Sequence, residues 1–169
     1  MNEKKEVISI FVDNQSNVLT RIVSLFGRRG FNIDSLTVSA TNNPLVSRIT
    51  IVCNVTDQSL HQIITQTAKL EVVKDIFVLD RGNSLYRELL LMKIKTDKNK
   101  RSAILEIANI YRAKVIDLSK DSMIMELTGA PDKLDGFMEI LSCYDIVEVC
   151  RTGITGISRG IPEHQESEY

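Results

Sequence analysis

Hydrophobic positions change their period repeatedly along this chain, and each change marks an element. Glu6 to Val12 (EVISIFV) is a β-branched run of strand length. From Asn17 to Arg29, Val18, Leu19, Ile22, Val23, Leu25 and Phe26 recur at spacings of three and four, along one face of a helix. Ser16 or Asn17 is placed to cap its start. Arg28 and Arg29 fall in the last turn, where the helix dipole favours cations, and Gly30 supplies a left-handed stop. Asn32 to Thr41 reads as a second strand carrying Ile33, Leu36, Val38 and Ala40, and Asn42-Asn43-Pro44 turns the chain. Ser47 to Val55 alternates, with Ile49, Ile51, Cys53 and Val55 on one side and Arg48, Thr50 and Asn54 on the other. Asp57 or Ser59 caps a second helix whose inner face carries Leu60, Ile63, Ile64, Thr67 and Leu70. Val72 to Leu79 closes a βαββαβ unit.

Asp80-Arg81-Gly82-Asn83-Ser84 breaks the pattern, and then it begins again. Glu88 to Ile94 is a strand, and Asn99 to Tyr111 a helix with Ile104, Leu105, Ile107, Ala108 and Tyr111 inward. Lys114–Leu118 and Ser122–Thr128 form a hairpin around Lys120-Asp121. Pro131 opens a helix that buries Leu134, Phe137, Met138 and Leu141, and Asp145 to Cys150 is the last regular strand. The expected fold class is therefore α+β: two ferredoxin-like βαββαβ domains, at 1–79 and 88–160, joined by a linker at 80–87. The polar tail, 161–169, is expected to be disordered. Some apolar residues fall on the sheet face that the helices leave bare, which predicts pairing with another subunit.

Composition narrows the partners. Twenty-one basic and 22 acidic residues balance, against an electrostatic grip on nucleic acid or an anionic membrane. No apolar run reaches the roughly 20 residues that span a bilayer, and MNEKKEV lacks the apolar core of a secretion signal, so a cytoplasmic location is expected. Cys53, Cys143 and Cys150 form no C-x-x-C pair and read as small hydrophobes in a reducing compartment.

Catalysis finds little support. His61 lies in a helix and His164 in the tail, neither with a nucleophile or carboxylate at a telling spacing, and no metal-ligand spacing or phosphate-loop motif is present. The run Gly153–Gly160 either cradles a phosphate or serves as an extended edge or docking segment, and no helix follows it. RNA-recognition modules share the topology but stack bases on aromatic strand residues. Here the first strand offers only Phe11 and the third none. Amino-acid binding fits better. A strand-to-helix loop presents backbone N–H groups to a carboxylate, and Asn14 and Asn32, flanking the first helix, offer a donor and an acceptor each. Both asparagines also read as ordinary turn residues.

The first half resembles an ACT domain, a small regulatory module that binds amino acids at a dimer interface. The whole chain, from about Lys5 to Gly160, resembles the small regulatory subunits of acetolactate synthase (acetohydroxyacid synthase). The resemblance rests on Asn14-x-x-x-Val18-Leu19-x-Arg21, on Arg29-Gly30-Phe31-Asn32-Ile33-Asp34-Ser35-Leu36-Thr37-Val38, and on Ser47-Arg48-Ile49-Thr50-Ile51. Glu88–Ile94, Leu134-Asp135-Gly136-Phe137, Arg151-Thr152-Gly153 and Gly156–Gly160 extend it through the second half. It implies a chain without a catalytic centre or cofactor of its own. Such a chain forms a homodimer or higher oligomer, activates the large catalytic subunit (which uses thiamine diphosphate, Mg2+ and FAD), and confers feedback inhibition by valine or another branched-chain amino acid. It further implies an effector site of Asn14, Gln15, Ser16, Asn17, Val18 and Leu19 from one subunit, facing Asn32, Ile33, Asp34, Ser35 and Leu36 from another. Asn17 stands where many members carry glycine, the residue freest to take φ above zero; Asn is the next most tolerant. The other reading is a free-standing amino-acid sensor acting on a different partner.

Overall fold

The computed structural model describes residues 3–161. In the first half, β1 (Lys4–Asp13), β2 (Ser35–Ala40), β3 (Val46–Val55) and β4 (Val73–Val78) alternate with α1 (Val18–Arg28) and α2 (Asp57–Thr67). The strands pair antiparallel in the order β2-β3-β1-β4, which leaves β2 at one edge. Alternate residues of the two central strands, Ile8, Ile10 and Val12 from β1 and Ile49, Ile51 and Cys53 from β3, form one core with Ile22 and Phe26 of α1 and Ile63 of α2. Each such large apolar side chain contributes about 1.5–3 kcal/mol when fully buried.

The second half repeats the plan with β5 (Ser84–Lys95), α3 (Lys98–Tyr111), β6 (Lys114–Leu118), β7 (Ser122–Gly129), α4 (Pro131–Leu141) and β8 (Asp145–Arg151). Its sheet runs β6-β7-β5-β8, and β9 (Thr155–Ser158) pairs with β5. Leu90, Met92, Ile94, Met123, Met125 and Leu127 meet Ile104, Ala108, Leu134, Phe137 and Leu141 in a separate core. The Tyr111 and Phe137 rings lie 5.2 Å apart, a favourable tilted pair. Asp97 starts α3 by accepting from the N–H groups of Asn99 and Lys100. Those two bonds hold its carboxyl below the usual carboxylate range. The chain is thus α+β with two ferredoxin-like domains.

Several expectations shift. The second strand does not begin at Asn32: residues 31–34 are irregular, and the ladder starts at Ser35 opposite Val52. Thr56, not Asp57 or Ser59, caps α2, its hydroxyl accepting from the Ser59 N–H. β5 starts at Ser84, so half of the expected 80–87 linker is strand. Asp145–Cys150 is not the last strand, because Gly153–Gly160 contains β9 and follows the extended reading. By packing, moreover, the chain from Ile154 belongs with the first unit, which also takes in residues up to Leu85; the second unit is Tyr86–Gly153. The outer face of the first sheet is not bare. Val7, Phe11, Val52 and even Thr50, on the polar side of the expected alternation, are all buried. Of the tail, residues 162–169 and His164 with them lie outside the described residues.

Candidate functional site

The loop from β1 to α1 is shaped by its backbone. Asn17 precedes α1 with φ 68° and ψ −2°, the left-handed region. That conformation differs from the extended one in which a cap side chain reaches back over the first turn. Accordingly the Asn17 side chain makes no capping bond, contrary to the expected cap at Ser16 or Asn17, and no acidic residue occupies the first turn. The opening N–H groups of α1 thus receive no bond from the cap side chain, while the helix dipole places partial positive charge there. Asn14, Gln15, Ser16 and Asn17 are exposed beside them; Val18 is buried and Leu19 partly exposed.

Asn14 is tied to the turn between β2 and β3. Its side-chain Nδ2 donates to the Pro44 carbonyl at 2.9 Å, and its backbone N–H to the Leu45 carbonyl at 2.7 Å. One amide nitrogen is committed in this way; its oxygen, an acceptor, has none of these roles.

The second segment follows Gly30, whose φ of 72° ends α1. Phe31, Ile33 and Leu36 pack against the first core and hold the segment down, while Asn32 and Asp34 face outward. Asp34 is the organiser. Its N–H donates to the Val52 carbonyl at 2.8 Å, and its carboxylate accepts from Asn54 Nδ2 at 2.6 Å and from Asn32 Nδ2 at 3.4 Å. The Asp34–Asn54 bridge had no signal in the sequence, since it joins positions of no common period.

These two segments do not meet within one chain. Asp13, beside Asn14, lies opposite Val46, whereas Ser35 lies opposite Val52. Six residues of extended strand separate the two registers, roughly 20 Å along β3. A single copy therefore presents two half-sites at opposite ends of the β2–β3 pair.

Elsewhere, Cys53 is fully buried in the first core, and burial, aided by Asp34 and Glu6, pushes its thiol up to about 11. Among the described residues no group of three or more His, Cys, Asp or Glu is placed to hold a metal ion, and no helix is long and apolar enough to cross a membrane.

Residues 8–75 match a family described as an AHAS small subunit-like ACT domain, and residues 87–160 one described as the small subunit of acetolactate synthase. The acetolactate synthase small subunit of Mycolicibacterium smegmatis is 44% identical over 153 residues, 90% of each chain. A probable acetolactate synthase small subunit of Archaeoglobus fulgidus is 41% identical over 92% of this chain and 98% of its own length. Among solved structures, the acetolactate synthase small subunit from Thermotoga maritima superposes with a TM-score of 0.85 at 34% identity, covering 94% of this chain and 99% of that one.

Proposed function

Because the chain belongs to the acetolactate synthase small-subunit family, we propose that it regulates the catalytic subunit of that enzyme, activating it and making it sensitive to valine or another branched-chain amino acid. Thiamine diphosphate, Mg2+ and FAD serve the condensation of pyruvate on the catalytic subunit; this chain contributes none of them and no reacting group.

The observation that carries the reading is the pair of half-sites at opposite ends of an edge strand. If β2 of one copy runs antiparallel beside β2 of a second copy, Ser35 of one comes near Ala40 of the other. Ala40 leads into the turn to which Asn14 is bonded. The pairing thus brings Asn32–Leu36 of one copy toward Asn14–Leu19 of the other, and an unpaired strand edge favours it. The effector carboxylate then meets the N–H groups at the start of α1. The Asn14 oxygen accepts from the ammonium, and Ile33, Leu36 and Leu19 cover the aliphatic chain. Inhibition requires that the effector bind one state of the assembly more tightly than the other.

The test is reconstitution with purified catalytic subunit, with valine, leucine and isoleucine titrated by calorimetry and in the condensation assay. Asn14→Ala and Asn32→Ala each remove a polar ligand contact of about 1–3 kcal/mol, so effector affinity falls roughly five- to 150-fold while activation persists. Inhibition of both variants at the parent's effector concentration would refute the site. Failure of the chain to bind or activate the catalytic subunit would point instead to a free-standing sensor.

A further inference from the structure

Thr37, in β2, donates its hydroxyl to the carbonyl of Ile154 at 3.1 Å, across 117 positions of sequence. Ile154 is 3% exposed, and Thr50, the register partner of Thr37 on β3, is 4% exposed. The bond is part-buried, so water competes for it less than at an open surface. On β2, Thr37 follows directly on Ser35 and Leu36 of the candidate effector segment.

Just before Ile154 the chain is pinned to the second unit. The Thr152 N–H donates to the Leu89 carbonyl at 3.1 Å, and the Leu89 N–H donates to the Thr152 hydroxyl at 3.1 Å. Arg151 holds both Glu88 and Asp135. Only Gly153 separates these pins from the residue that Thr37 grips, and its φ of 85° is a conformation glycine adopts without strain. Two residue steps span at most about 7 Å, so the link has little slack to absorb a displacement of β2.

We propose that the Thr37–Ile154 bond is the positioning contact that carries effector occupancy at the start of β2 through Gly153 into the second unit. The proposal rests on the reading that Asn32–Leu36 contacts the effector. By linkage, what shifts one end of such a contact biases the other.

The test assembles the holoenzyme with the parent chain, with Thr37→Val, with Thr37→Ser, or with one glycine inserted after Gly153. Thr37→Val removes the hydroxyl at nearly constant volume; the insertion slackens the link and leaves every core side chain in place. Calorimetry should find valine bound by both variants within about twofold of the parent, yet the inhibition reached at saturating valine should be at least about fivefold smaller than the parent's. Thr37→Ser, which keeps the donor, should respond as the parent does. Inhibition curves of Thr37→Val and the insertion that superimpose on the parent's would overturn the coupling, as would loss of valine binding in step with loss of inhibition. A parent holoenzyme that neither binds nor responds to valine, leucine or isoleucine refutes the effector reading itself, and the coupling with it.

Discussion

Asn17 holds a left-handed backbone that costs a residue with a Cβ roughly 1–2 kcal/mol, and Asn lessens that cost through its short polar side chain. Asn17→Ala should therefore lower stability by about 1 kcal/mol, read by thermal or urea unfolding. Asn17→Gly should be neutral or slightly stabilising, and should tighten the effector by clearing side-chain volume beside the α1 N–H groups. Weaker effector binding by the glycine variant would refute that view of the loop. The positive φ was hinted at only by the resemblance, whose members often carry glycine there, and the absence of a side-chain cap was not legible at all, because capping depends on a dihedral that no spacing reports. Cys53 behaves differently from its exposed counterparts. Native-state alkylation at mildly alkaline pH should label Cys143 and Cys150 and spare Cys53, as mass spectrometry of the digest would show. Folding also raises the Cys53 pKa from 9.0 to about 11, so the folded state keeps its proton longer. Its contribution to stability is intact below pH 9 and is lost as the pH rises toward 11. Cys53→Ala should flatten that alkaline decline.

At the scale of elements, β8 ends on a charged cluster that fastens it to β5 and α4. Burial alone pulls the Arg151 guanidinium down, but its hydrogen bonds to Asp135 and Glu88 outweigh that and raise it above its ordinary value. Glu88 is 5% exposed, so Arg151→Met leaves a carboxylate buried without its partner. The expected loss is about 3 kcal/mol, measured by urea unfolding, with Glu88→Gln in the same background recovering part of it. No recovery would mean that the guanidinium acts by packing alone. All eight strands and four helices of the two repeats were legible, the central strands and the helices because each buries one face and so writes its period into the chain, the outer strands β2, β6 and β8 by β-branched content and flanking turns. The irregular stretch at residues 31–34 was not: Phe31 and Ile33 look like strand residues, but they pack inward from a segment that only reaches the ladder at its end. β9 was legible only as an extended edge or docking segment, since Gly153–Gly160 carries no alternation that marks a core strand.

For the molecule as a whole, sequence repetition suggested two domains in succession, and the local patterns of both halves are obeyed. What escaped is the return of the chain. Ile154 to Gly160 follows the second repeat in sequence and yet packs with the first. Nothing within those residues names Thr37 or Asn83, whose contacts at Ile154 and Arg159 hold the segment, because bonds between positions so far apart in sequence leave no periodic trace. The two candidate segments, Asn14–Leu19 and Asn32–Leu36, stand out in the sequence, but nothing in it says that one copy keeps them at opposite ends of β3. On the proposed reading, that separation makes effector binding depend on assembly: dilution to monomers should abolish it even though every proposed contact residue remains in place. The return of the chain also has a consequence in time. A ribosome working at about 5–20 residues per second releases Ile154 roughly 3–14 s after Leu85, so the first unit must wait, its closing segment missing, while all of the second is made.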